Sequence, residues 1–192
     1  FHLTHRFAFG EDLGYLGADR IYHCESHHQD DVVPYNDLAA VFIEPHRWVP
    51  MDVDWLRSVK TWCQAIGAIL VFDEMVYGLR WAHGGCSEYY GVTPDLACFG
   101  KALGNGIPGA CVGGPSHLMQ NAVDCVSGTY GGDVLWLAAA DAVLRTYKER
   151  DVIGVLRTRG LALWDEFSLH APPDAKLEGT PQHWRLVIPD DN

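Results

Sequence analysis

The chain has 192 residues, and its 14 basic and 25 acidic side chains leave a net charge of −11 with histidine neutral. That balance argues against a nucleic-acid binder, because phosphates need basic partners. Apolar residues make up 48% and charged ones 20%, enough for one sizeable core and too apolar for disorder. No stretch approaches the roughly 20 uninterrupted apolar residues of a membrane helix; runs such as Ala39 to Ile43 and Ala68 to Phe72 are far shorter.

The opening Phe1-His2-Leu3-Thr4-His5-Arg6 has neither an initiating Met nor a basic-then-apolar leader, and reads as the middle of a longer polypeptide. Phe1 to Asp37 is histidine-rich and irregular. His23, Cys24, His27 and His28 lack the spacing and the second ligand pair of a closed tetrahedral site, so a solvated loop is expected there rather than a metal centre. Six cysteines are scattered without a C-x-x-C pair, which fits reduced thiols and a cytoplasmic location.

Three short apolar runs follow: Ala39 to Ile43, Ala68 to Phe72, and Ala110 to Val112, each stopped by polar or glycine residues. Apolar at consecutive positions, they suit parallel strands buried on both faces. Between the first two, Trp55, Leu56, Val59, Trp62, Cys63 and Ile66 share one face of a helix over 54–66, with Asp52 or Asp54 to cap its start and Gly67 to end it. Strand, helix, strand makes a βαβ unit. Further on, 134–147 and 152–167 read as helices, and Ala171-Pro172-Pro173 ends the second. From Lys176 onward one strand-like piece remains, Trp184 to Ile188. The expected organisation is a partial large domain over 1–150 and a connecting helix with the start of a small domain over 151–192.

In parallel α/β sheets, ligands collect at the carboxyl ends of the strands. The residues there are Glu44, Asp73, Glu74 and the segment around Lys101. Asp73 ends the most hydrophobic run. Lys101 has apolar and small residues on both sides; partial burial there would make it available as a nucleophile toward a carbonyl, and the alternative, favoured for a lysine standing alone, is a surface lysine in a glycine-rich turn. Gly100, Gly104, Gly106 and Gly109 match neither a dinucleotide fingerprint nor a phosphate loop.

Leu70-Val71-Phe72-Asp73-Glu74-Met75-Val76-Tyr77-Gly78-Leu79-Arg80, followed by Pro94-Asp95-Leu96 and Gly100-Lys101-Ala102-Leu103-Gly104, resembles the core of class III pyridoxal-phosphate-dependent aminotransferases, the group that includes glutamate-1-semialdehyde aminomutase. The resemblance runs from about Ala39 to Phe167. It implies an α/β chain of PLP-dependent transferase fold type I, a three-layer αβα large domain incomplete at its amino end, followed by the start of a small α+β domain. It implies pyridoxal 5'-phosphate as cofactor, held by Lys101 as a Schiff base, with Asp73 paired to the pyridine nitrogen and Met75 covering the ring face. Thr129, in Ser127-Gly128-Thr129-Tyr130-Gly131-Gly132, matches the threonine that binds the cofactor phosphate of the neighbouring subunit. The implied partners are therefore an amino donor, a keto or aldehyde acceptor, and a second copy in a homodimer with shared active sites. Met75, Tyr77 and Asp133 depart from the family pattern, and the family's upstream phosphate-binding turn and ring-stacking aromatic have no match before Asp73. The competing reading is a non-catalytic scaffold or subunit fragment that keeps the fold without a complete cofactor site.

Overall fold

The computed structural model describes residues 5–6, 21–24, 39–46, 50–120, 131–172 and 174–188. In chain order these form β1 (His5–Arg6), β2 (Ile21–Cys24), β3 (Ala40–Ile43), α1 (Val53–Ile66), β4 (Ile69–Asp73), α2 (Gly85–Tyr90) and β5 (Leu96–Gly100). A 3-10 turn (Lys101–Leu103), β6 (Ala110–Gly113), α3 (Ser116–Met119), α4 (Val134–Glu149), α5 (Val152–His170), β7 (Lys176–Thr180) and β8 (His183–Val187) follow.

The first six strands make one sheet in the order β1-β2-β3-β4-β5-β6. β2 through β5 run parallel, and the outer strands β1 and β6 are antiparallel to their neighbours. The expected βαβ unit is β3-α1-β4. Asp52 is the residue that caps α1, its carboxylate accepting from Asp54 N at 2.7 Å and Trp55 N at 3.2 Å. Gly67 ends the helix at φ 75°. Leu56, Val59 and Cys63 of α1 are buried in one cluster with Val41 and Ile43 of β3 and Leu70 and Phe72 of β4. Each fully buried Leu or Phe there contributes about 2 kcal/mol.

Five strands differ from the sequence expectation. The run at 110–112 is β6, an exposed antiparallel edge strand rather than a buried parallel one. The connection from Lys101 to Gly109 is too short for a parallel crossover, which takes about a dozen residues. β5, the true parallel neighbour of β4, carries the short apolar run Leu96 to Phe99, which was not counted among the expected strands. The irregular amino-terminal stretch contains β1 and β2. Past α5, β8 has a partner in β7, with which it forms an antiparallel hairpin tied by Arg185 to Glu178 at 2.7 Å.

Helix α4 starts at Asp133, whose carboxylate accepts from Trp136 N at 2.8 Å. The departure at Asp133 is thus a helix cap. Asp133→Ala is expected to lower stability by about 1 kcal/mol, read as a fall in the thermal midpoint with the secondary structure retained. Helix α5 has no buried side chain, and Trp164 and Phe167 meet Trp184 of β8 edge-on.

Candidate active site

β4 and β5 are parallel neighbours with Asp73 opposite Cys98, so both end on the same edge of the sheet. Asp73 is half-buried, not fully buried. Its Oδ1 accepts from Met75 N at 3.0 Å, and its second oxygen has no hydrogen bond among the described residues. The Cys98 thiol is pushed up, chiefly by burial and then by the charge of Asp73.

Two residues beyond Phe99 the chain leaves β5 sharply. Lys101 sits at φ 42°, and its carbonyl accepts from Gly104 N and Asn105 N, both at 3.1 Å. A non-glycine residue in the left-handed region costs about 1 kcal/mol and persists only where surrounding contacts impose it. The Lys101 side chain is exposed and lines an open cavity, so of the two readings the structure gives the surface lysine of a glycine-rich turn. That cavity, about 490 Å³, is lined by Met75, Lys101, Gly106, Ile107, Pro108 and Gly109. A Cβ on Gly100 would lie 2.3 Å from Met75 Cε and 2.8 Å from its Sδ, so a side chain there would push the thioether off this strand beside Lys101.

Glu74, next to Asp73, plays a different part. It is 1% exposed, and its carboxylate accepts from Cys86 N at 2.5 Å and Ser87 N at 3.3 Å, anchoring the start of α2. Burial raises its pKa, with the two backbone hydrogen bonds opposing. Tyr77 does not line the Lys101 cavity either. It is buried with its ring 5.4 Å from His46 and 5.0 Å, edge-on, from His183.

His46 was not singled out by the sequence, where it merely follows Pro45. It is fully buried, stacked on Trp81 at 4.3 Å, and shares a 2.6 Å hydrogen bond with the Tyr90 hydroxyl. Burial, with a smaller contribution from His183, lowers its pKa to about 4. Thr129, His27 and His28 lie outside the described residues.

The structure therefore brings Lys101 and Met75 to one cavity and places Asp73 at the end of the adjoining strand. A family model described as Aminotransferase class-III matches residues 22–172. The chain belongs to the class-III aminotransferase family. It is similar to two proteins named glutamate-1-semialdehyde 2,1-aminomutase: 36% identical over 67% of the chain to that of Pelotomaculum thermopropionicum, and 35% identical over 81% to that of Thermomicrobium roseum. It also superposes on the FumI protein of Sphingopyxis sp. MTA144, a structure titled as its PLP internal aldimine form, with a TM-score of 0.74 and 28% identity over 81% of the chain. The fold is that of the fold type I PLP-dependent transferases, present in part. The chain spans 32% and 40% of the two aminomutases and 40% of FumI.

Proposed function

We propose that the protein carrying this chain transfers amino groups between an amino donor and a keto or aldehyde acceptor, with pyridoxal 5'-phosphate as cofactor. One observation supports the assignment to residues: an exposed amine, Lys101, and a thioether, Met75, line the same cavity, and Asp73, at the end of the adjoining strand, keeps a carboxylate oxygen that no described residue satisfies. This donor set fits the cofactor. The amine matches its aldehyde, the thioether an aromatic face, and the open carboxylate oxygen a protonated ring nitrogen. When bound, the cofactor supplies an electron sink for the carbanion left after deprotonation of the substrate carbon.

In this reading Lys101 Nζ would hold the cofactor as a Schiff base and would move the proton at the substrate's reacting carbon. Asp73 keeps the ring nitrogen protonated while its Oδ1 stays fixed on Met75 N. Met75 packs on the ring and excludes water from that face. Thr129 serves the phosphate of a neighbouring copy, which makes the working unit a homodimer, and the location is cytoplasmic. The large domain ends near residue 150, with 151–192 leading into the small one.

Borohydride reduction of the full-length protein followed by peptide mapping tests this. The expected result is visible absorption lost on reduction and a cofactor adduct on Lys101. An adduct on another lysine, or none, overturns the assignment and favours the scaffold.

A further inference from the structure

The loop after Lys101 is held from behind by a residue that no feature of the sequence marks. Trp136, in the first turn of α4, is buried in a cluster with Leu103 of the 3-10 turn, Leu79 and Ala140, against Phe99 of β5. Its indole occupies a notch made by two glycines of the loop. A Cβ on Gly109 would lie 1.7 Å from its Cδ1, and one on Gly104 would lie 3.2 Å from the same ring. Gly109 also lines the Lys101 cavity, so the same short stretch has the amine's cavity on one side and the indole on the other.

The support is anchored at its far end. Trp136 N donates to the Asp133 carboxylate at 2.8 Å, which fixes the first turn of α4 and with it the ring. Its indole N–H has no hydrogen-bond partner among the described residues, so shape rather than hydrogen bonding holds it there. Between notch and amine, Gly104 N and Asn105 N donate to the carbonyl of Lys101, and Ile107 N donates to Gly104 O at 3.0 Å. Those bonds are what keep Lys101 at φ 42°, a conformation an unsupported lysine leaves.

We propose that Trp136 is a positioning residue for Lys101: its indole, seated in the Gly104–Gly109 notch, clamps the loop that holds the lysine backbone in its left-handed conformation and its amine in the cavity. The inference rests on the reading of Lys101 as the cofactor-bearing amine, and deepens it. Trp136 touches neither substrate nor cofactor and acts through the loop. Phenylalanine, flat and apolar, keeps most of the clamp, whereas alanine removes it. Gly109→Ala, at a position without positive φ, drives a methyl into the indole from the loop side.

The test is hydrogen exchange by mass spectrometry on the full-length protein without cofactor, paired with the pH dependence of the visible band after loading with pyridoxal phosphate. Trp136→Ala is expected to speed exchange of peptides within 101–109 about tenfold while those within 138–149 keep their protection. The midpoint of the visible band's pH titration shifts in the same variant, and Trp136→Phe restores both. Gly109→Ala alone speeds the same exchange, but adds nothing once Trp136 is alanine. If Trp136→Ala does not fold, Gly109→Ala decides, since it leaves the helix and its cap intact. Unchanged exchange in 101–109, or equal acceleration everywhere, overturns the inference. A wild-type protein carrying no cofactor on Lys101 overturns the functional reading instead, and exchange still reports whether the clamp exists.

Discussion

Asp73→Asn in the full-length protein is expected to cut turnover by about three orders of magnitude, the scale of removing one partner from a desolvated ionic pair. Asparagine keeps an oxygen for Met75 N, the bond Asp73 makes at 3.0 Å, so the turn after β4 has no reason to move. What changes is the other atom, where a carboxylate oxygen becomes an amide that donates. A ring nitrogen facing it is no longer held protonated, and electron withdrawal from the substrate carbon fails. Turnover measured with a panel of amines and amino acids, beside an unchanged circular dichroism spectrum, is the check. Undiminished turnover removes Asp73 from the site.

The largest expected stability effect comes from His46 on acidification. Its folded pKa of about 4 lies below the ordinary 6.5, so the unfolded chain binds the proton first. The stability tied to a neutral His46 is therefore fully present above about pH 6.5 and is lost as pH falls toward 4, about 3 kcal/mol in all. His183, lowered by burial and then by Arg80, acts in the same direction. Glu74 acts oppositely: its raised pKa makes its contribution greatest in acid, and that contribution fades as pH rises through the folded value. Urea unfolding of wild type and His46→Phe at about pH 7.5 and about pH 4.5 isolates the histidine, because Glu74 and His183 are common to both. The difference between the two proteins should shift toward the variant by most of that 3 kcal/mol. A constant difference shows that His46 does not titrate as a buried neutral ring.

How much of this was legible beforehand follows from what burial does to composition. The β3-α1-β4 unit was readable down to its caps because its strands are buried on both faces and Leu56, Val59 and Cys63 recur at helical spacing. β5 was passed over although Leu96 to Phe99 is an apolar run, because four such residues, only partly covered in the fold, carry no periodicity that separates a strand from the lead-in to the Gly100-Lys101 motif. Asp73, Met75 and Lys101 were readable as a motif, and the structure sets them at adjoining strand ends. The exposure of Lys101 was one of two open readings, and its flanks did not choose between them, since neighbours in sequence do not tell where a left-handed turn sends a side chain. Trp136 and His46 were invisible for a similar reason. Their partners, Gly109 for one and Tyr90 for the other, are distant in sequence, and single aromatic or histidine residues carry no periodicity.

Among the described residues, each strand of the six-stranded sheet hydrogen-bonds only to its neighbours in sequence. Growth at one edge is therefore enough to build it: β4 can dock on β3 as soon as α1 has emerged, and β5 and then β6 can follow without any earlier strand being displaced. Loop closures stay short, so each step costs little chain entropy. During synthesis on the ribosome, the end of β4 at Asp73 is complete before β5 and the turn bearing Lys101 arrive, and the helix carrying Trp136 comes after both and locks the loop behind the lysine.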